Sequence, residues 1–214
     1  MKPIYCISGL GADERIFKKL HINGHELKYI SWPEFDRYDE LPCYAQKVSA
    51  LIPDENPIIL GLSFGGMLAV EIGKMRPVKQ LILISSAKTA NELTKLGGLL
   101  RKLIVTQVLP AFIYKMPSDR MYDMFGAQTE EDKELLRGIL KDSDGQFMRW
   151  AMKAVTLWRN QTYPEPILHI HGTGDKIIPA GPVLPDHWIE NGSHMMVYNR
   201  ADEINTILNK EFNP

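Results

Sequence analysis

Residues 57–66 read Pro57-Ile58-Ile59-Leu60-Gly61-Leu62-Ser63-Phe64-Gly65-Gly66, and the reading of this stretch decides the fold. Ile58-Ile59-Leu60 is a short, continuously apolar run of the kind a strand buried on both faces requires. It passes without a spacer into Gly61-Leu62-Ser63-Phe64-Gly65, a G-x-S-x-G pattern. From about Phe64 to Met75 the residues Met67, Leu68, Val70 and Ile72 then fit an amphipathic helix. A serine on so tight a strand-to-helix turn presents its hydroxyl at the sheet edge, and the flanking glycines let neighbouring backbone pass close.

The same alternation extends in both directions. Ile4 to Ile7 is a short strand ending at Ser8-Gly9, and a helix is expected near Asp13 with Ile16, Phe17 and Leu20 on one face. Leu27 to Trp32 reads as a second strand closed by Pro33, and Tyr44, Val48, Leu51 and Ile52 mark a surface helix. Leu81-Ile82-Leu83-Ile84 is a further apolar strand. Residues 87–158 contain no convincing strand. Leu96, Leu99, Leu100, Leu103 and Ile104 form a helical stripe, and Thr129 with Asp132 resembles a capping box ahead of Leu135, Leu136, Ile139 and Leu140. Phe147, Ala151, Val155 and Trp158 form another helical face. Strand character resumes at 166–171 and 187–190, and Ile204, Ile207, Leu208 and Phe212 mark a terminal helix. Apolar strands alternating with helices imply a parallel sheet covered on both faces. The expected organisation is a core of residues 1–86 and 159–214, with 87–158 inserted as a helical cap over the carboxyl edge of the sheet, where ligands bind in open α/β sheets.

Composition excludes other classes. The 214 residues carry 25 Lys and Arg against 26 Asp and Glu, a formal net charge of −1, and 44% are hydrophobic. That is too apolar and too neutral for a disordered chain, and it lacks the basic excess of a nucleic-acid binder. No stretch approaches the roughly 18 apolar residues of a membrane span. The first strand breaks at Gly9 and Gly11 and is followed by Asp13 and Glu14, unlike a secretion signal. With two unpaired-looking cysteines, Cys6 and Cys43, a cytoplasmic location is expected. Neither metal-type spacing nor a cofactor motif is present, so no cofactor is expected.

A serine hydroxyl becomes a useful nucleophile when a base takes its proton, and the base needs a carboxylate to orient it. On this architecture the order along the chain is serine, acid, histidine. The strand ending at His171 leads into Gly172-Thr173-Gly174-Asp175, and the last strand leads into Asn191-Gly192-Ser193-His194. Ser63, Asp175 and His194 are therefore the candidate nucleophile, acid and base. His21, His25, His169, His171 and His187 are assigned structural or solvated roles. An oxyanion is best stabilised by preorganised amides. One is the N–H of Phe64, the residue after the serine, and the other falls in Ser8-Gly9-Leu10-Gly11, with Leu10 the chosen donor. Leu10, Phe64, Met195 and Trp158 are the expected substrate-contacting residues. Met116, Met121, Met124, Phe125, Met148, Trp150 and Met152 make the cap rich in pocket-compatible side chains.

These four segments together resemble the α/β-hydrolase family over nearly the whole chain. The resemblance implies a three-layer α/β sandwich of about six parallel strands, trimmed of the two strands that commonly precede the oxyanion-loop strand. Family members usually carry a His-Gly pair where this chain has Ser8-Gly9. Members with an aspartate nucleophile are excluded by Ser63. The expected activity is hydrolysis of a small, largely apolar carboxylic ester or thioester through an acyl-enzyme. The alternatives are a lyase or carbon–carbon bond hydrolase using the same triad, or a low-turnover receptor for a small molecule.

Overall fold

A computed structural model describes residues 1–93, 104 and 110–212. Six strands form one sheet: β1 (Lys2–Ile7), β2 (His25–Tyr29), β3 (Ile58–Leu62), β4 (Gln80–Ile84), β5 (Ile167–Gly172) and β6 (His187–Ile189). Their spatial order is β2-β1-β3-β4-β5-β6, and every neighbouring pair runs parallel. The α-helices with described bounds are α1 (Leu41–Ser49), α2 (Phe64–Met75), α3 (Asp119–Phe125), α4 (Glu130–Asp142), α5 (Gly145–Leu157), α6 (Met196–Asn199) and α7 (Ala201–Phe212).

The two-residue period of the strands divides the core into two halves. Ile4, Cys6, Ile58, Leu60, Ile82, Ile84 and Ile170 face one side, where they meet Ile16, Phe17, Ile204 and Leu208. Tyr5, Ile7, Ile59, Leu81 and Leu83 face the other, where α1, α2 and α5 supply Tyr44, Val48, Leu68, Ile72 and Trp150. The result is a three-layer sandwich, as the apolar strands required. Register then aligns the strand ends: Ile7 lies opposite Gly61, Leu62 opposite Ile84, Ile84 opposite Ile170, and Gly172 opposite Ile189. Everything that leaves a strand at its carboxyl end emerges along this one edge.

Some elements differ from the sequence reading. The helix expected near Asp13 is a single 3₁₀ turn, Glu14–Phe17, whose N-cap Asp13 accepts the Arg15 N–H. Leu20 is buried beyond it without extending the helix. The second strand begins at His25 and ends at Tyr29, two to three residues before the expected span, because pairing with β1 sets Lys2 opposite His25 and Cys6 opposite Tyr29. The apolar stripe at Leu96, Leu99, Leu100 and Leu103 lies outside the described residues. The capping box at α4 forms as read: Thr129 Oγ1 accepts from the Asp132 N–H at 3.1 Å, and Asp132 Oδ2 accepts from the Thr129 N–H at 3.2 Å. Both cysteines are free. Among the described residues, no helix is long and apolar enough to cross a membrane.

Between β4 and β5 the regular elements among the described residues are helices, and α5 is fastened to the sheet by aromatic packing. Trp150 is 1% exposed. Its ring centroid lies 4.6 Å from that of Tyr44 and 5.3 Å from that of Phe35, and its indole N–H donates to the Asp39 carbonyl at 3.0 Å. Phe147, one turn earlier, meets Trp32 at 5.1 Å and Phe64 at 6.2 Å. Truncating Trp150 to alanine removes the largest fully buried side chain among the described residues and takes the indole donor from the Asp39 carbonyl. Trp150→Ala is expected to lower unfolding free energy by about 3–5 kcal/mol, measured by urea denaturation at neutral pH.

Candidate active site

Strand β3 turns into α2 through Ser63, whose φ of 51° and ψ of −117° lie in a region that side-chain-bearing residues seldom occupy. The surroundings over-determine this conformation. The Ser63 N–H donates to the Ile84 carbonyl at 3.0 Å, and its carbonyl accepts the Gly66 N–H at 2.9 Å and the Ser86 hydroxyl at 2.6 Å. Packing behind the turn is backbone on backbone. A Cβ on Gly65 would fall 2.2 Å from the Ile7 carbonyl oxygen, and one on Gly61 would fall 2.4 Å from Gly66 Cα. Glycine is required at both positions for space.

Three side chains converge from different strand ends. His194 Nε2 lies 2.8 Å from Ser63 Oγ, and His194 Nδ1 lies 2.7 Å from Asp175 Oδ2. The second carboxylate oxygen, Asp175 Oδ1, accepts the backbone N–H groups of Ile177 and Ile178, each at 2.9 Å. The Asp175 side chain is fully buried. Burial alone would favour its neutral form. The His194 charge and hydrogen bond, together with the Ile178 N–H, outweigh that and hold the carboxyl below its ordinary range. An ionised carboxylate only accepts, so His194 carries its proton on Nδ1 and turns an unprotonated Nε2 toward the Ser63 hydroxyl. Phe125 of α3 stands edge-on to the imidazole, with centroids 5.7 Å apart.

The loop after β1 closes on this group. Gly9–Ala12 is a tight turn in which the Ala12 N–H donates to the Gly9 carbonyl at 2.9 Å. Gly11 takes a φ of 72° at its third position, as a type II turn demands. A Cβ on Gly9 would stand 3.5 Å from Ser63 Cβ, so the turn abuts the serine. Leu10 is half-buried at the outer corner, and Phe64 is buried at the first position of α2. Among the described residues, neither the Leu10 nor the Phe64 N–H has a protein acceptor. No group of three or more His, Cys, Asp or Glu among the described residues is arranged to hold a metal ion.

The alpha/beta hydrolase family profile matches residues 8–207. The chain belongs to the alpha/beta hydrolase family. A curated relative, the biotin biosynthesis bifunctional protein of Teredinibacter turnerae, is 24% identical over 248 aligned positions. The alignment covers 95% of this chain and 43% of that protein, so the chain spans less than half the length of the curated relative it matches. Among solved structures, a hydrolase from Oleispira antarctica superposes with a TM-score of 0.78 at 13% identity, covering 100% of this chain and 92% of that one. An esterase from Exiguobacterium antarcticum does so with a TM-score of 0.74 at 14% identity, with the same coverages. At such identities the likeness is one of fold.

On this alpha/beta hydrolase frame, the remaining residues singled out in the sequence occupy defined places. Met195 is 2% exposed and its N–H donates to the Phe125 carbonyl at 3.0 Å, which ties the His194 loop to α3. Trp158 is buried, with its indole N–H given to Glu71 Oε1 at 2.8 Å. Glu71 also accepts from Lys74 at 2.9 Å, and Lys74 reaches Asn160 Oδ1 at 2.7 Å. Asn160 in turn binds the Lys88 carbonyl at 2.9 Å and accepts the Ala90 N–H at 2.8 Å.

The sequence reading gives His171 only a structural or solvated role. The structure puts it beside the acid: its Nε2 donates to the Ile178 carbonyl at 2.9 Å and lies 3.8 Å from Asp175 Oδ2. The signal available was its position at the end of β5, four residues before Asp175. His169 packs against it with ring centroids 5.5 Å apart. Burial pushes the pKa of His171 down, and that of His169 down to about 3. Both imidazoles are neutral in the fold and gain protons on unfolding once the pH falls below their ordinary value near 6.5. Stability is therefore lost from about pH 6.5 downward, for His169 at about 1.4 kcal/mol per pH unit. The Asp175 contribution is lost only below its ordinary 3.8. Urea unfolding between pH 7 and 4 is expected to give a steeper loss for the wild type than for His169→Phe, by about that amount per unit below pH 6.

Proposed function

We propose that the chain is a serine hydrolase that cleaves a small, largely apolar carboxylic ester or thioester through an acyl-enzyme. The observation that carries this reading is the unbroken relay from Ser63 Oγ to His194 Nε2 at 2.8 Å and from His194 Nδ1 to Asp175 Oδ2 at 2.7 Å. In the first half-reaction Ser63 Oγ attacks the substrate carbonyl carbon while its proton passes to His194 Nε2. The resulting imidazolium is stabilised by the Asp175 carboxylate, which keeps the ring oriented and does not itself take the proton. The carbonyl oxygen becomes an oxyanion that receives hydrogen bonds from the Leu10 and Phe64 amides, the latter at the positive end of α2. Collapse of the tetrahedral intermediate breaks the bond to the leaving group, which departs with the proton from His194. In the second half-reaction water attacks the acyl-enzyme by the same route, releasing the acid and restoring Ser63.

In this reading the described helices α3 and α5 belong to a cap over this edge. Phe125 against His194, Met148 against Gly11 and the half-buried Leu10 give the surroundings of Ser63 an apolar character. That supports an uncharged acyl or alkyl group next to the scissile bond. The fold shared with the esterase of Exiguobacterium antarcticum agrees with this chemistry.

A fluorophosphonate probe is expected to label the wild type at Ser63 and to leave Ser63→Ala unlabelled. Equal labelling of both proteins defeats the proposal. Asp175→Asn keeps the shape of the acid but permits the wrong histidine tautomer, and its kcat on a p-nitrophenyl ester is expected to fall by about 10⁴. A loss below tenfold in that assay would assign the orienting role to another group.

A further inference from the structure

The reading above gives the Leu10 amide half of the oxyanion hole, and the present inference rests on that reading. An amide at the outer corner of a surface turn stabilises charge only if its direction is fixed before the reaction begins. The Gly9–Ala12 turn has one internal hydrogen bond, from the Ala12 N–H to the Gly9 carbonyl, and two of its four residues are glycines. Left to itself it would sample several orientations.

Two side chains from outside the turn remove that freedom, and both act on one atom. The Ser8 hydroxyl donates to the Ala12 carbonyl oxygen at 2.7 Å. The Trp32 indole N–H donates to the same oxygen at 3.0 Å. Ser8 is buried at the end of β1, and its own carbonyl, with that of Ile7, is pressed against Gly65. Trp32 follows β2, and its ring packs on Phe64 with centroids 5.7 Å apart and on Phe147 at 5.1 Å. With both peptide planes of Ala12 hydrogen-bonded, one through its N–H and one through its carbonyl, the turn is held closed from two sides. Trp32 also links the two amides: its N–H braces the loop of one, and its ring braces the side chain that follows the other.

We infer that Ser8 and Trp32 are positioning residues of the oxyanion hole, acting through the Ala12 carbonyl to hold the Leu10 amide against Ser63. Neither touches substrate. Their loss should weaken binding of a charged tetrahedral species and leave binding of the neutral ground state unchanged.

The test uses the full chain with p-nitrophenyl butyrate as substrate and an alkyl trifluoromethyl ketone as oxyanion-forming inhibitor. Ser8→Ala is expected to lower kcat about tenfold, to leave KM within twofold, and to weaken the ketone by the same factor as kcat/KM, a fraction of the loss of a whole oxyanion donor. Ser8→Thr, which restores the hydroxyl, is expected to recover most of the loss. Trp32→Phe keeps the aromatic packing, loses the N–H, and is expected to match Ser8→Ala. A merely structural role would lower the melting temperature and the active fraction without changing the affinity for the ketone. If Ser8→Ala does not fold, Trp32→Phe decides by the same measurements. Ketone affinity and kcat within twofold of wild type in the folded variants would overturn the inference while leaving the hydrolase reading intact. A wild type inert to substrate, ketone and fluorophosphonate would overturn the hydrolase reading and this inference with it.

Discussion

Where α2 leaves β3, the backbone of the turn lies directly against the end of β1, with residue 65 beneath the carbonyls of Ile7 and Ser8 and no space for a Cβ. This approach of two main chains governs what surrounds it. It brings the loop after β1 beside Ser63, forces Ser63 into a conformation with positive φ, and points its side chain off the sheet edge. The strain is of order 1–3 kcal/mol, and hydrogen bonds from three directions onto the serine backbone offset it. Because the sheet is wholly parallel and its strand ends are in register, the loops that carry Asp175 and His194 open on the same side.

Charge in this edge is handled by burial and by count. One carboxylate is fully enclosed, and an isolated buried charge would be costly. Asp175 meets that cost with two backbone amides on one oxygen and the imidazole of His194 on the other. Two further imidazoles lie nearby, yet burial keeps His169 and His171 uncharged. Asp175 therefore faces a single partner able to become a cation within hydrogen-bond distance. His171 contributes a fixed N–H dipole that closes the loop around the acid through the Ile178 carbonyl.

Much of this was legible in the residues. Apolar runs of strand length gave the parallel sheet, and the G-x-S-x-G turn with later Gly-Asp and Ser-His turns marked three positions that the structure brings within hydrogen-bond reach. These are local signals, written in consecutive residues, and the sheet does the rest. Contacts between residues distant in sequence were not legible. Nothing in Ser31-Trp32-Pro33 says that the indole will reach Ala12, or that Trp158 will give its N–H to a glutamate in α2. Periodicity reports which face of an element is apolar; it does not report which buried polar atom waits opposite. The edges of elements failed for a related reason. The start of β2 is set by pairing with β1, and the turn after Asp13 is too short for a stripe of apolar residues to distinguish a 3₁₀ turn from an α-helix.

The network around Glu71 and Asn160 has an architectural consequence. Asn160 binds the backbone at Lys88 and Ala90, so the chain leaving the sheet and the chain returning to it are within one hydrogen bond of each other, and Lys74 and Glu71 anchor both to α2. The excursion between them thus leaves and rejoins the core at one place, and α5 adds a second attachment through Trp150 and Phe147. The entropy of closing such a loop grows only as the logarithm of its length. Residues 88–90 and 158–160 form a closed socket, and changes of length between them are best borne away from α5, whose aromatic side chains reach Phe64 beside Ser63.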